Sequence, residues 1–200
     1  MISRFGTSKI LQRLILLFCL SLVCGNLTSA ESANPTELKL LVYNTHGLPA
    51  VFSKDDPVRR FPEIGKQMRR YQLSLLQEDF AHHEALLDSL AASSVVVRGN
   101  ESRFSFCPFC SGSGLTMISN LEQEWQLEIQ AEAFDTCAGW LRGLNDCFAT
   151  KGFQLSRMET PSGKRFFVVN THLDAGRNTS DRQVRATQLK QIVAKVQKEA

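Results

Sequence analysis

Two polar side chains stand at the ends of apolar segments, where a rigid scaffold can hold them in a cleft. Asn44 follows the apolar run 38–43, and Glu78 follows the run 73–76. Amide and carboxylate oxygens are the ligands that hard cations such as Mg²⁺ and Ca²⁺ prefer. The pattern indicates a metal site, while a capping asparagine and a surface glutamate are the alternative that the spacing leaves open.

A third candidate is a histidine at the end of another apolar segment. Asn170 and His172 directly follow a run that ends at Val169. A histidine in such a position can donate a hydrogen bond to a phosphoryl oxygen as charge builds in a transition state. A lone histidine is also often structural. The remaining histidines show no metal-ligand spacing, and we expect the adjacent pair His82 and His83 to be solvated.

An acid and a base, Asp146 and Lys151, stand five residues apart beside a predicted strand. On spacing alone they predict a surface ion pair, which contributes little to stability. The lysine could instead reach a phosphate. The glycine-rich segment 111–114 lacks the lysine and the following helix of a nucleotide-binding loop, and so predicts only a turn.

The first thirty residues have the composition of a secretory signal. A basic segment precedes an apolar run at 14–23 that is too short to span a bilayer, and small residues follow at 28–30. An uncleaved anchor and a lipoprotein processed at Cys24 are the open alternatives. We therefore predict a signal peptide at 1–30, a linker at 31–36, and a secreted or periplasmic product.

Charge and cysteine content agree with export. The signal holds three of the 23 basic residues and none of the 20 acidic ones, so the mature chain has no net charge. A chain built to grip a polyanion is usually basic. Four cysteines remain after cleavage, which predicts two disulfides. The simplest pairing is Cys137–Cys147 with Cys107–Cys110, and a zinc site at the C-x-x-C pair is the alternative.

The chain is long enough for one domain, and its patterning mixes strands with helices. A loop is expected at 46–62, and helices are expected around 64–71, at 81–92 and from Thr179 onward. Many strands with a few helices between them predict an α+β layered sandwich. The predicted strands are 38–43, 73–76, 95–97, 115–119, 126–130 and a hairpin of 148–158 with 165–171.

Taken in order, these segments resemble the endonuclease/exonuclease/phosphatase superfamily, which has the deoxyribonuclease I-like fold. Leu40–Asn44 is similar to its opening strand with a metal-contacting asparagine, and Leu75–Glu78 to the strand that ends in a metal-binding glutamate. Asn170–Leu173 is similar to the segment whose histidine contacts the scissile phosphate. The resemblance covers residues 37–200 and implies a four-layer α/β/β/α sandwich.

Within this superfamily the chain looks most like the neutral sphingomyelinases. Ser113–Ser119, Asp146–Phe153 and Thr171–Ala175, followed by Arg182-Gln183, carry this likeness. It implies that Asp146 and Lys151 take part in catalysis and that Asn170 helps to steady the phosphoryl oxygens. It also implies Mg²⁺, or Ca²⁺ or Mn²⁺ in its place, and a membrane sphingolipid or phospholipid as the substrate.

The chain departs from the family in one respect. Family members continue to an Asp-x-Asn segment and a late Asp-His pair whose histidine is the general base, and neither occurs here. We therefore expect an amino-terminal part of a monomeric, metal-dependent phosphodiester hydrolase that is nearly inactive and poorly folded by itself. The alternatives are a secreted deoxyribonuclease-like endonuclease acting on nucleic acid, and a non-catalytic binding remnant of such an enzyme.

Overall fold

A computed structural model describes residues 37–50, 55–100, 112–138 and 149–200, all within the unit Pro35–Ala200. The predicted signal peptide and linker lie outside these ranges and stay predictions. Within the ranges, no helix combines the length and the apolar character needed to cross a bilayer.

The described strands form two sheets, with order β1-β2-β4-β3 in sheet 1 and β5-β6-β7 in sheet 2. The first two strands of sheet 1 are parallel, and the other pairs are antiparallel. Along the described residues the elements are β1 (Leu40–Asn44), α1 (Pro57–Met68), β2 (Leu73–Gln77), α2 (His83–Leu87), β3 (Val95–Arg98), β4 (Thr116–Ser119), β5 (Gln126–Ala133), β6 (Gly152–Glu159), β7 (Arg165–Thr171) and α3 (Thr179–Glu199).

Apolar clusters separate the layers, and the alternation along β2 shows why. Leu73 and Leu75 point into a cluster shared with sheet 2, whereas Leu76 points toward α1 and α2, as the two-residue period of a strand requires. A further cluster joins sheet 2 to α3 through residues such as Phe153 and Ile192. The predicted α/β/β/α order of layers is thereby confirmed.

The predicted loop at 46–62 is wrong in its last part, because α1 already begins at Pro57. Proline is favoured in the first turn of a helix, where its missing N–H costs nothing. The Asp56 side chain accepts a hydrogen bond from Arg59 N at 3.2 Å and caps this end. An Asp-Pro pair that suggested a turn is thus the start of a helix.

The helix predicted at 81–92 is too long, since α2 covers only His83–Leu87. Arg69 of α1 donates to the carbonyls of Ser89 and Leu90, at 2.8 and 3.0 Å. These tertiary bonds satisfy carbonyl groups that lie just beyond the end of α2. The other predicted strands and α3 are confirmed to within a few residues at each end.

Among the described strands, β1 pairs only with β2, and its outer edge carries apolar side chains. Val42 is 62% exposed there. Exposed apolar edge strands favour self-association, so we expect Val42→Lys to reduce aggregation of this chain in light scattering. Val58→Lys is the control, since Val58 is 64% exposed but lies on a helix. Equal effects of both changes would contradict an edge-strand origin.

Candidate metal and phosphate site

The sheet topology brings three predicted site residues to one end of the sandwich. Because β1 and β2 are parallel, with Asn44 opposite Gln77, their carboxyl ends meet at the same edge. Strand β7 packs across from β2, and Gln77 Nε2 donates to Asn170 Oδ1 at 2.7 Å. Glu78 and His172, which follow these strands, therefore lie next to Asn44.

The Glu78 carboxylate is the centre of this group. Asn44 Nδ2 donates to Glu78 Oε1 at 2.8 Å, and His172 Nε2 lies 3.8 Å from the same oxygen. The side chains of Glu78 and His172 are 21% and 32% exposed, so both are open to solvent. Residues that stand more than ninety positions apart in sequence thus meet at one partly exposed carboxylate.

The backbone beside this carboxylate is strained. Glu78 has φ 55° and His46 has φ 48°, and they are the only non-glycine residues with positive φ among the described ranges. Such conformations cost about 1–3 kcal/mol each and concentrate at functional sites. Thr45 N donates to Gln77 O and Gly47 N to Glu78 O, both at 2.8 Å. These bonds join the two strained segments and hold them in place.

Gly47 is required by this close approach. A Cβ at Gly47 would lie 2.5 Å from Glu78 O and 3.0 Å from Phe80 N, both backbone atoms that cannot move cheaply. We expect Gly47→Ala to destabilise the chain by about 1–3 kcal/mol in urea unfolding. Gly163→Ala is the control, because a Cβ there meets nothing within 4 Å and only its φ of +79° is unfavourable. A Gly47→Ala protein as stable as wild type would refute the tight fit.

Asn170 lies in the interior beneath the site, with 1% exposure. Its Oδ1 accepts from Gln77, and its Nδ2 donates to Leu76 O at 3.0 Å, Gln154 Oε1 at 3.0 Å and Thr116 O at 3.3 Å. The structure therefore does not bring this amide to the cleft, where the resemblance implied a phosphoryl contact. It joins the two sheets directly under Glu78.

Lys151 is also buried, with 7% exposure, and its Nζ donates to Leu173 O at 2.8 Å. This bond holds the backbone of Leu173, the residue after His172, so Lys151 supports the segment that carries the histidine. Asp146 lies outside the described residues. Both the ion pair and the catalytic role predicted for Asp146 and Lys151 therefore stay predictions.

Sequence reasoning missed a buried carboxylate next to Glu78. Asp79 is fully buried, and its Oδ2 accepts from Thr116 Oγ1 at 2.7 Å and from Arg98 Nη1 at 3.3 Å. His83 Nδ1 lies 2.6 Å from the same oxygen. The spacing of Asp79 and His83, four residues apart, is the signal that could have found this pair.

The expectation that His82 and His83 are solvated is wrong. The His83 side chain is only 13% exposed, and the His82 ring packs on Phe61 with centroids 5.3 Å apart. The His82 ring thus contacts α1, and His83 contacts Asp79 in the turn that follows Glu78.

Helix α3 anchors the loop that follows His172. Arg185 Nη1 donates to the carbonyls of residues 174–176 at 3.0 to 3.2 Å. Gln188 Nε2 donates to Asp174 Oδ1 at 2.7 Å, and Asp174 is buried.

Cys137 is the one mature cysteine within the described ranges, and it is disulfide-bonded. Its predicted partner Cys147, together with Cys107 and Cys110, lies outside those ranges. The predicted pairing and the zinc alternative for Cys107 and Cys110 are therefore not tested.

A groove of about 560 Å³ lies at the other end of sheet 2, between the start of β5 and the end of α3. Several of its charged side chains are paired; Arg165 Nε, for example, lies 3.0 Å from Glu159 Oε2. A hydrogen bond from Lys195, at 2.9 Å, lowers the pKa of Glu199. Because these charges are paired and lie far from Glu78, the groove is not a candidate for the catalytic site, despite its size.

The donor set at Glu78 suits a hard cation. No cluster of three or more His, Cys, Asp or Glu residues suitable for a metal occurs in the described part of the chain. Mg²⁺ is commonly bound by one or two carboxylates with water and substrate oxygens completing the shell. One carboxylate with a neighbouring amide therefore fits Mg²⁺, loosely held by this part of the site alone.

Sequence comparison finds similarity to sphingomyelinases. The chain is 27% identical over 142 residues to sphingomyelinases of Mycobacterium bovis and Mycobacterium tuberculosis. This match covers 70% of the chain but 27% of each relative, so the chain spans about a quarter of their length. No protein-family model matches the chain.

Structure comparison finds TDP2 proteins. D. rerio TDP2 complexed with a single-strand DNA product superposes with a TM-score of 0.57 at 16% identity, over 80% of this chain and 54% of that one. Truncated Caenorhabditis elegans TDP2 gives 0.53 at 17% identity, over 82% and 57%. These findings confirm the resemblance to the endonuclease/exonuclease/phosphatase superfamily: the described residues have part of the deoxyribonuclease I-like fold, and the sequence is similar to that of curated sphingomyelinases.

Proposed function

We propose that this chain carries the metal- and phosphate-binding half of a divalent-metal-dependent phosphodiester hydrolase that releases the phosphorylated headgroup of a sphingolipid or phospholipid, with the lipid alcohol as the leaving group. The main support is that Asn44 and His172 meet at the Glu78 carboxylate, at the carboxyl ends of β1 and β2, where the side chains of Glu78 and His172 are partly exposed. The similarity to sphingomyelinases supports the lipid substrate.

Glu78 and Asn44 are the residues that would hold the cation, with Mg²⁺ proposed and Ca²⁺ or Mn²⁺ as substitutes. The bound cation would polarise the phosphodiester and stabilise the leaving oxygen. Asn44 orients the carboxylate through its 2.8 Å hydrogen bond to Oε1. The strained backbone at Glu78 directs that carboxylate to the partly exposed side of the strand ends.

His172 would donate a hydrogen bond to a phosphoryl oxygen and so stabilise charge that develops there. Lys151 and Arg185 hold the chain on its carboxyl-terminal side, at Leu173 and at 174–176. Asn170 fixes β7 against β2 on its other side. The imidazole is therefore placed by backbone contacts on both sides, which favours a single orientation toward Glu78.

Activation of the attacking water is proposed to need the general base of the family's late Asp-His pair, which does not occur in this sequence. Loss of a general base typically lowers the rate by about 10²–10⁴-fold. We therefore expect the chain as given to be nearly inactive. Measurable, EDTA-sensitive sphingomyelin hydrolysis by the purified 200-residue chain would contradict this.

The test of the proposed function is a substrate panel with the longest protein that the reading frame encodes. We expect Mg²⁺-dependent, EDTA-sensitive release of phosphocholine from sphingomyelin vesicles. Phosphatidylcholine vesicles test the specificity for sphingolipid, and plasmid DNA tests the nuclease alternative. Plasmid nicking without lipid hydrolysis would overturn the lipid substrate, and binding without hydrolysis of either would favour the non-catalytic remnant.

Two observations disfavour the nuclease. Residues 31–200, which would remain after cleavage of the predicted signal peptide, have no net charge. The arginine pairs 59–60 and 69–70 offered the basic groove, but Arg60 and Arg69 are both committed to backbone carbonyls. Export and a monomeric state remain part of the proposal. Recovery of the protein outside the cytoplasm tests export, and gel filtration of that product tests the monomeric state.

A further inference from the structure

His46 has features that a purely structural turn residue does not need. It adopts φ 48°, a conformation that glycine takes at no cost. The residue in this conformation is nevertheless His46 and not the glycine that follows it, Gly47. Its side chain is 54% exposed, so packing contributes little to its position. The imidazole Nδ1 lies 3.4 Å from Glu78 Oε2. A strained residue thus presents an exposed ring to the candidate site.

The two carboxylate oxygens of Glu78 have an imidazole each. His46 lies beside Oε2, and His172 lies 3.8 Å from Oε1. His46 N also donates to Asn44 Oδ1 at 2.9 Å, so the same asparagine side chain hydrogen bonds to the Glu78 carboxylate and to the His46 backbone. A ligand bound at Glu78 would therefore lie between two imidazoles.

Arg60 of α1 holds the His46 segment. Its guanidinium donates to Thr45 O and, at 3.2 Å, to His46 O. Its Nε lies 2.8 Å from Asp55 Oδ2, and its guanidinium lies 5.3 Å from the centre of the Phe61 ring. The Arg60 guanidinium, held by Asp55 and by the Phe61 ring, thus binds two successive carbonyls. These hydrogen bonds stabilise the unfavourable φ of His46.

We propose that His46 is a second imidazole contacting the phosphoryl group of the substrate, opposite His172, and that Arg60 is its positioning residue. This inference rests on the proposed function, because it needs a phosphodiester bound at Glu78. Imidazole nitrogens hydrogen bond readily to phosphoryl oxygens. Two imidazoles flanking one carboxylate can bind both non-bridging oxygens of a phosphodiester.

The test is an NMR titration of the longest encoded protein with dimethyl phosphate, a minimal phosphodiester, in the presence of Mg²⁺. We expect the ring C–H signals of both His46 and His172 to shift with one dissociation constant. His46→Asn, which tolerates positive φ, should weaken binding about fivefold, the effect of losing one hydrogen bond. His46→Gly should do the same and relieves the backbone strain, so a folding defect would not explain the loss.

The positioning role has a matched control on the same helix. Arg60→Met should weaken dimethyl phosphate binding and change the His46 ring shifts. Arg69→Met removes an equivalent fork, which binds the carbonyls of Ser89 and Leu90 away from the site, and should leave binding unchanged. A similar loss of melting temperature in both variants would show that stability alone does not explain the Arg60 effect.

The outcomes separate this inference from the proposed function. Wild-type affinity in His46→Asn and His46→Gly, with weakened binding in Glu78→Gln and His172→Asn, would overturn the role of His46 alone. Unchanged binding in all four variants would overturn the phosphodiester site itself. Unaltered binding in Arg60→Met, with His46→Asn weakened, would remove the positioning role of Arg60.

Discussion

Replacing Glu78 by glutamine should abolish detectable Mn²⁺ binding and lower phosphodiester hydrolysis by at least about 10²-fold, comparable to strong perturbations of metal sites. Glutamine keeps the size of the side chain and can still accept the hydrogen bond from Asn44, which in the native protein is 2.8 Å long. The change therefore removes the negative charge with little effect on packing. Mn²⁺ binding is measured by electron paramagnetic resonance, and hydrolysis in the longest protein that the reading frame encodes.

The matched control is Glu84→Gln, the same substitution six residues later on the exposed surface of α2. It should leave both Mn²⁺ affinity and hydrolysis at wild-type values. Retained Mn²⁺ affinity in Glu78→Gln would mean that the cation, if bound, is held elsewhere. Equal losses of Mn²⁺ affinity and hydrolysis in both variants would indicate that the net charge of the protein, and not a site at Glu78, determines them.

Asn170→Ala should cost about 2–4 kcal/mol of folding free energy, because it removes four hydrogen bonds of buried polar groups at once. The Gln77 amide keeps only its 3.3 Å bond to Leu75 O, and Leu76 O, Thr116 O and Gln154 Oε1 each lose a donor. Since these groups lie between the sheets, water cannot readily replace the asparagine. Urea unfolding followed by circular dichroism measures the change.

Two variants calibrate this prediction. Asn178→Ala removes the exposed capping residue of α3 and should cost only about 1 kcal/mol. His172→Ala should lower hydrolysis with little change in stability, because His172 is 32% exposed. A cost below about 1 kcal/mol for Asn170→Ala, with reduced hydrolysis, would instead support the phosphoryl contact that the resemblance implied.

The positions of the main candidates could be predicted because they depend on local patterns. Apolar runs that end in Asn44 and Glu78 identify strands and their ends, and the two-residue period separates the faces of β2. The order of strands and helices predicted an α+β or layered sandwich architecture, and the family resemblance implied the α/β/β/α order of its layers. Asn170 was placed on the right strand, but its burial depends on which side of β7 faces sheet 1.

The parts that were missed depend on contacts distant in sequence. The Asp79 carboxylate is defined by Thr116 and Arg98, and no local pattern shows that β4 and β3 carry its partners. The shorter α2 depends on Arg69 from another helix. The strained φ of His46 cannot be read from residue type, because it is imposed by hydrogen bonds from several segments.

The most direct test is a crystal structure of the protein grown with Mn²⁺ and measured at the manganese absorption edge. Anomalous difference density next to the Glu78 carboxylate, within reach of Asn44 Oδ1, is the predicted result. Mn²⁺ peaks elsewhere with none at Glu78, at a concentration that saturates binding in solution, would contradict a metal-dependent site at these strand ends.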